Sequence, residues 1–169
     1  MTTSGPKQPT FLCDAMLGGL ARWLRAAGYD ATFEYGIDDR ALIARVLDTG
    51  GVLLSSDGPM FERNVIRDGT VRALYVPRQL SKLQQLGFVI EQLDLPLREP
   101  RCMGCGGELL EVPKHTVTAE APPLAFRHCE HFWRCRRCGK LLWRGTHWQE
   151  IAGRLEHVRA RPRTRPAGQ

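Results

Sequence analysis

The feature that most constrains the fold is a fourfold alternation of short apolar runs and helical patterns in the first hundred residues. The β-rich runs occupy positions 10–13, 31–35, 52–56 and 71–76. Helical patterns end before Gly28 and before Gly50, and two further helices are predicted within 59–69 and 78–90. This order predicts an α/β fold, in which helices cover both faces of a mainly parallel sheet.

Each of the first three predicted strands runs directly into acidic residues. Asp14 follows the first strand, Asp38 and Asp39 follow the second, and Asp57 follows the third. Because the carboxyl ends of parallel strands meet at one edge of a sheet, we expect these acids to converge on one cleft. Clustered carboxylates repel one another unless a cation joins them, and Mg²⁺ and Mn²⁺ are hard ions that take oxygen ligands. The alternative for each acid is to cap the following helix, which suits Asp38 and Asp39 best.

Two CxxC motifs form the strongest local signal in the sequence. Their cysteines are Cys102, Cys105, Cys135 and Cys138, and a glycine follows the second cysteine of each motif. Two such turns offer four thiolates to one ion, which is typical of a structural Zn²⁺ site. A redox dithiol is the less favoured alternative, because two pairs occur within one short segment. The long gap between the motifs predicts a hairpin insertion from Glu108 through the turn at 122–123, whereas Cys13 is expected in the core and Cys129 as a free thiol.

The charge of the chain changes near residue 100. Residues 1–100 carry 11 Lys and Arg against 12 Asp and Glu, whereas residues 101–169 carry 13 against 6. A basic module suggests a polyanionic partner, with nucleic acid as the first candidate and plain solubility as the alternative. The predicted domains are 10–97 for the α/β part and 98–158 for a zinc ribbon with a C-terminal helix. A disordered N-terminus at 1–9 and a disordered basic tail at 159–169 flank them.

Several basic and aromatic residues are candidates for RNA contacts. They are Arg22 and Arg25 on the polar side of the first predicted helix, and Arg144, His147 and Trp148 in the stretch WRGTHW. Packing of the ribbon against its neighbour is an equally good role for the tryptophans. The sequence contains neither a secretion signal nor an apolar stretch near the roughly 20 residues of a membrane span, so we expect a cytoplasmic protein.

Three stretches together resemble the Mut7-C ribonuclease family, a branch of the PIN-like nuclease fold. They are FLCDAMLGGLARWLRAAGYD at 11–30, IDDRALIARV at 37–46 and VLLSSDGPM at 52–60. The most specific parts are the run from Asp14 to Arg25 and the final WRGTHW, and the resemblance extends to about residue 150. It implies that Asp14 and Asp57 are metal-binding catalytic acids, with Asp38 or Asp39 supplying the acid between them. The chain departs from the wider PIN pattern after the fourth strand, where PRQL brings no further acid.

These observations predict a ribonuclease that hydrolyses RNA phosphodiesters with Mg²⁺ or Mn²⁺ at the acids and a structural Zn²⁺ in the ribbon. RNA is the expected partner, including structured RNA such as tRNA or rRNA, and nothing in the sequence indicates an inhibitor protein. The alternative is a non-catalytic RNA-binding module with the same ribbon. A receiver-type phosphotransfer domain also carries acids at strand ends, but Asp14-Ala15-Met16 lacks a second acid and no lysine follows the fourth strand.

Overall fold

A parallel four-stranded sheet forms the centre of the N-terminal part of the chain. The computed structural model describes residues 8–160, so most of the predicted disordered termini, 1–7 and 161–169, lie outside the described residues. The strands are β1 (Phe11–Cys13), β2 (Ala31–Phe33), β3 (Val52–Ser55) and β4 (Ala73–Tyr75). Their order is β2-β1-β3-β4, and every neighbouring pair is parallel, as the alternating pattern predicts.

Helices cover both faces of this sheet. They are α1 (Gly18–Ala26), α2 (Asp39–Thr49), α3 (Asn64–Arg67) and α4 (Lys82–Gln92). Phe11 and Cys13 of β1 pack in the cluster that contains residues of α1 and α4, whereas Leu12 packs in the cluster of α2. Successive side chains of a strand point to opposite faces, so a continuously apolar strand is stabilised by burial on both sides. The predicted arrangement of helices on both faces is confirmed.

One predicted helix is divided in two. The pattern over 59–69 predicts a single helix, but a 3-10 turn at Pro59–Glu62 is followed by α3 after Arg63, whose backbone is extended (φ −67°, ψ 135°). Met60 of the 3-10 turn and Val65 and Ile66 of α3 pack in the same hydrophobic cluster. The connection between β3 and β4 therefore contains two short helical pieces in place of one continuous helix.

A second, antiparallel sheet follows and contains the cysteine motifs. Its strands β5 (Leu109–Val112), β6 (Phe132–Cys135) and β7 (Leu141–Trp143) lie in this order. The predicted hairpin insertion is present between β5 and β6 and contains a 3-10 turn (Lys114–Val117) and helix α5 (Pro123–His128). The insertion has a small core of its own, built from Val117, Ala121, Cys129, Phe132 and Leu141. We refer to residues 101–145 as the ribbon.

Helix α6 (Thr146–Arg159) follows the ribbon in sequence but packs on α4. Its Ile151 and Leu155 belong to the same buried cluster as Leu86 of α4. A Cβ atom at Gly87 would lie 3.6 Å from Val158, so the two helices approach closely. The sequence places α6 in the 98–158 module, whereas its buried side chains extend the core of the α/β part. The ribbon is therefore inserted between two helices of one core. Within residues 8–160, no helix is both long and apolar enough to cross a membrane.

Arg25 joins the α/β part to the ribbon. It is only 7% exposed, and its Nε donates to the carbonyl of Ala31 at 2.7 Å. Its Nη1 donates to the carbonyls of Met103 and Gly104 at 2.9 and 2.8 Å. The prediction that Arg25 lies on the polar side of α1 and contacts RNA is therefore wrong, because the side chain is buried and bonded to main-chain carbonyls. Arg22, one turn earlier, is exposed as predicted.

Replacing Arg25 with methionine is expected to lower the free energy of unfolding by about 3 kcal/mol, since three carbonyls lose their donor at roughly 1 kcal/mol each. The matched control is Arg22→Met on the exposed face of the same helix, which should change it by no more than about 0.5 kcal/mol. Urea denaturation of both proteins measures the difference. Equal stability of the two variants would contradict the structural role of Arg25.

Candidate functional site

Asp14 and Asp57 lie at the carboxyl ends of the neighbouring strands β1 and β3, and Ser55 connects them. Ser55 is fully buried. Its Oγ donates to Oδ2 of Asp14 at 2.5 Å and accepts a hydrogen bond from the backbone N–H of Asp57 at 2.9 Å. We refer to Asp14, Ser55 and Asp57 as the carboxylate edge.

The capping role considered for Asp14 is present, but it uses only one of the two carboxylate oxygens. Oδ1 accepts from the N–H of Met16 at 2.7 Å and caps the 3-10 turn Ala15–Leu17. Asp14 is 6% exposed, and its own N–H continues the sheet by donating to Leu54. A carboxylate held from both sides in this way has a fixed orientation.

Arg78 is a residue of this region that the sequence reasoning missed. Its Nη2 lies 3.7 Å from Oδ1 of Asp57, and its Nε donates to the carbonyl of Ser56 at 2.8 Å. The Ser56 hydroxyl in turn donates to the carbonyl of Val76 at 2.6 Å. The loop after β4 therefore brings a cation, and not a further acid, to this edge of the sheet. The available signal was an arginine in the loop three residues after the end of β4.

Asp38 and Asp39 have partners of their own at the start of α2. Oδ1 of Asp38 accepts from the N–H of Ala41 at 2.9 Å, which is the predicted N-cap, and Asp39 lies 3.2 Å from Nη2 of Arg63. Among residues 8–160, the one group of three or more ligand-type side chains gathered within 4.8 Å is formed by cysteines. The structure thus connects Asp14 with Asp57 and does not gather all four acids at that spacing.

The carboxylate edge coincides with a reversal in the strand order. The chain leaves β1 through α1 towards β2 on one side, and it leaves β3 towards β4 on the other. Connections that diverge in this way leave a crevice outside the carboxyl ends of the strands, where open α/β sheets bind their ligands. Carboxylate oxygens in such a crevice can bind a hard divalent ion, and Arg78 can contact an anion beside it.

The four predicted zinc ligands lie together. The Sγ atoms of Cys102, Cys105, Cys135 and Cys138 are all within 4.8 Å of one another. Cys102 and Cys138 are separated by 3.8 Å and Cys105 and Cys135 by 3.4 Å. In a tetrahedral site with Zn–S bonds of about 2.3 Å, sulfur atoms are about 3.8 Å apart. The donor set and its spacing therefore fit a metal ion such as zinc.

The two CxxC turns have the same backbone construction. The carbonyl of Cys102 accepts from the N–H of Gly106 at 2.7 Å, and the carbonyl of Cys135 accepts from the N–H of Gly139 at 2.9 Å. Both glycines have positive φ angles, +81° and +72°. Residues with a Cβ atom rarely adopt this conformation, which explains the glycine after the second cysteine of each motif.

The thiols of the chain differ in acidity. Burial raises the pKa of Cys135, but the N–H groups of Cys138 and Arg137 donate to its sulfur and lower the pKa to about 7. Burial raises the pKa of Cys13 to about 12, which fits the predicted core position. Cys129 is buried in the small core of the ribbon, outside the group of four. The metal-binding candidates are thus distinct from the two core thiols.

Asp30 is an acid that the sequence analysis did not single out, and it connects the α/β part to the ribbon. Asp30 precedes β2 and lies 2.6 Å from Nη2 of Arg137 and 3.9 Å from Nη2 of Arg101. A Cβ atom at Gly106 would approach Oδ1 of Asp30 to 2.6 Å. Both CxxC turns are therefore fixed to the α/β part, one through Arg25 and the other through Arg137.

Arg144 and Trp148 contact one another as part of a small stack. The Arg144 guanidinium lies 4.5 Å from the ring centre of Trp133 and 5.7 Å from that of Trp148, and it also pairs with Glu99 at 3.1 Å. Trp148 packs against the core of the α/β part, so its packing role is confirmed. His147 is exposed. RNA contacts by these residues remain a prediction.

Comparison with known proteins gives one result. The family model described as the Mut7-C RNAse domain matches residues 9–155. The matched region includes both the carboxylate edge and the four cysteines. No curated protein and no solved structure matches the chain.

Proposed function

The chain belongs to the Mut7-C RNAse domain family, and on this premise we propose that it hydrolyses RNA phosphodiesters with a divalent metal ion at the carboxylate edge. The observation that carries the proposal is the bonding of Asp14 and Asp57 through Ser55 at the reversal of the strand order. The assignment of the sheet to the PIN-like fold, with a nuclease domain at 10–97, is part of this proposal.

Each residue of the edge has a proposed role. Asp14 and Asp57 hold Mg²⁺ or Mn²⁺, because carboxylate oxygens are the ligands that these ions prefer. When bound, the ion supplies an activated water and neutralises charge on the scissile phosphate. Ser55 orients Asp14, and Arg78 contacts a phosphate oxygen beside Asp57. No histidine general base is required.

Asp39 is the better candidate for the additional acid that the family resemblance implies. Asp38 caps α2, and an N-cap contributes about 1 kcal/mol to stability. Asp39 is held only by an ion pair with Arg63, and both side chains are more than 40% exposed. Such exposed pairs contribute at most about 1 kcal/mol and are readily exchanged for another partner.

The cysteine cluster is proposed to hold a structural Zn²⁺. All four positions are protein thiolates, so none is left for water or substrate. The cluster requires reduced thiols, which fits a cytoplasmic protein. The ribbon around it is the proposed basic surface for RNA, with Arg144, His147 and Trp148, and Arg22 extends that surface on α1.

RNA binding is expected to weaken steeply with salt. For about four phosphate contacts to a single strand, affinity should fall about fiftyfold between 50 and 200 mM salt. Fluorescence anisotropy of a labelled RNA, without divalent ions, measures this dependence. Deletion of residues 101–169 is not a clean companion experiment, because it also removes Ile151 and Leu155 from the core. Affinity that does not change with salt would contradict an electrostatic RNA surface.

The decisive test of the proposed function is cleavage of a labelled RNA by the purified full chain with and without added Mn²⁺. Products that appear only with Mn²⁺ support a metal-dependent ribonuclease. Binding without cleavage under any divalent ion would instead support the non-catalytic RNA-binding alternative.

A further inference from the structure

A cleft lies between α1, α4 and α6, and one of its lining residues is Met16, whose N–H donates to Asp14 of the carboxylate edge. Its volume is about 600 Å³, within the range of roughly 300–1,000 Å³ that is typical of ligand sites. The chemically informative residues of its lining are Met16, Gly19, Trp23, Lys82, Gln85 and Arg154. They come from the 3-10 turn before α1, from α1 itself, from the first turn of α4 and from the middle of α6.

Gln85 lies at this cleft with a side-chain amide that no protein group satisfies. The residue is 8% exposed, and within residues 8–160 its amide has no hydrogen-bond partner. In the described part of the chain, every fully enclosed side-chain nitrogen or oxygen has a hydrogen-bond partner. Because the Gln85 amide has none, its atoms are not fully enclosed and are accessible from the cleft. Water in the cleft hydrates the amide in the unliganded protein, and a ligand with both a donor and an acceptor can replace those hydrogen bonds.

Two cations border the same cleft. Lys82 and Arg154 line it, and neither forms an ion pair with any residue between 8 and 160. The Lys82 stem lies across α1 at Gly19, where a Cβ atom would come within 2.6 Å of its Cδ. Trp23 adds a half-buried indole that packs against the core. An amide, an aromatic ring and two unpaired cations are the groups that recognise a base and its phosphates.

The lining of the cleft is linked to the carboxylate edge at two places. On one side, Met16 donates its N–H to Asp14. On the other side, Arg78, which pairs with Asp57, is followed closely by Leu80 and Ser81 of the cleft lining. The cleft and the carboxylate edge are therefore connected through Met16 on one side and through residues 78–81 on the other.

We propose that the cleft binds the RNA nucleotide next to the bond that is cut. Gln85 forms hydrogen bonds with the edge of its base, Trp23 contacts the base, and Lys82 and Arg154 bind the phosphates. The assignment of this nucleotide as the neighbour of the scissile bond rests on the proposed ribonuclease function.

The test is RNA binding by full-length Gln85→Met, which keeps the volume of the side chain and removes its amide. Affinity for a fluorescein-labelled single-stranded RNA hexamer, without divalent ions, should fall about fivefold to tenfold. The matched control is Gln92→Met at the exposed end of the same helix, which should bind as the parent does. The measurement is repeated with six hexamers, each of which lacks the base at one position. The hexamer that lacks the base contacted by Gln85 should bind the parent and Gln85→Met with equal affinity.

A thermal melt separates this role from a structural one. Because the amide has no partner in the protein, Gln85→Met should melt at the same temperature as the parent or higher. A protein in which Gln85 merely supported the fold would melt lower, and that result would overturn the proposal.

The double variant Lys82→Gln with Arg154→Gln tests the two cations. It should reduce the slope of log affinity against log salt by about 1.4. The control pair Arg40→Gln with Arg67→Gln, exposed on α2 and α3, should leave that slope unchanged.

The outcomes distinguish the two proposals. Parent-like RNA binding by both cleft variants, in a protein that cuts RNA, would overturn the cleft assignment and leave the ribonuclease function intact. Weakened binding by both variants, in a parent that never cuts RNA, would support the cleft as an RNA site and overturn the ribonuclease function. RNA binding that occurs only at high concentration and is the same for the parent and Gln85→Met would be adventitious. That result would contradict the proposed nucleotide site in the cleft.

Discussion

Asp14→Asn and Asp57→Asn are each expected to cut RNA at least about a hundredfold more slowly than the parent, while folding and RNA binding persist. A bound ion contributes several kcal/mol of transition-state stabilisation, and each 1.4 kcal/mol is a factor of ten in rate. Each substitution removes a negative charge that the ion requires. Initial rates of Mn²⁺-dependent cleavage of a labelled RNA measure the effect. Asp48→Asn, on the exposed side of α2, is the matched control and should cut at the parental rate.

Asparagine is chosen because it preserves the local structure. It is as good an N-cap as aspartate, so the bond from the N–H of Met16 to residue 14 can persist. Ser55 can reverse its hydroxyl and accept a hydrogen bond from the new amide. A well-folded Asp57→Asn protein with full activity would end the assignment of the carboxylate edge. In the same assay, Asp39→Asn should be slower than Asp38→Asn if Asp39 supplies the additional acid.

Cys102→Ser is expected to remove the bound zinc and unfold the ribbon. Structural zinc sites contribute about 10–16 kcal/mol of apparent binding free energy in small peptides, which the three-stranded sheet of the ribbon cannot replace. Protein purified without chelator should contain about one zinc per parent chain and much less in the variant. Elemental analysis and thermal melts measure both effects. Parent protein without zinc would contradict the proposed site.

Cys129→Ala is the matched control for the zinc experiment. Cys129 is a buried ribbon cysteine, but it lies in the small apolar core and outside the group of four. Its replacement should keep one zinc per chain and cost no more than about 1 kcal/mol of stability. Loss of zinc in this variant would show that the metal is held by other ligands.

The sheet and the cysteine cluster could be predicted from the sequence because their signals are local. Apolar runs that end in acids define β1 and β3, and each CxxC motif with its glycine defines a complete turn. The end of α2 at Gly50 could be predicted in the same way. Gly50 adopts a φ of +69°, which glycine favours, and its N–H donates to the carbonyl of Val46. Such features depend on a few neighbouring residues and hardly on tertiary packing.

The contacts that depend on distant residues could not be predicted. Arg25 has the helical position of a solvated arginine, and its partners Met103 and Gly104 are 78 and 79 residues away. The pairing of Arg78 with Asp57 likewise requires β4 to lie beside β3. The amphipathic pattern of α6 shows that it has a buried face, but the pattern does not say whether that face meets the ribbon or α4. Tertiary context decides each of these cases.

The insertion of the ribbon between α4 and α6 also sets the order in which a newly made chain can complete its core. The ribosome makes 53 residues between Gln92 and Thr146, which takes roughly 3 to 11 seconds at typical rates of synthesis. During this interval Leu86 and Val89 of α4 lack the cover that Ile151 and Leu155 later provide. The nascent chain thus presents an apolar helix face, a surface that chaperones bind, until the segment with the four cysteines has emerged and α6 has docked.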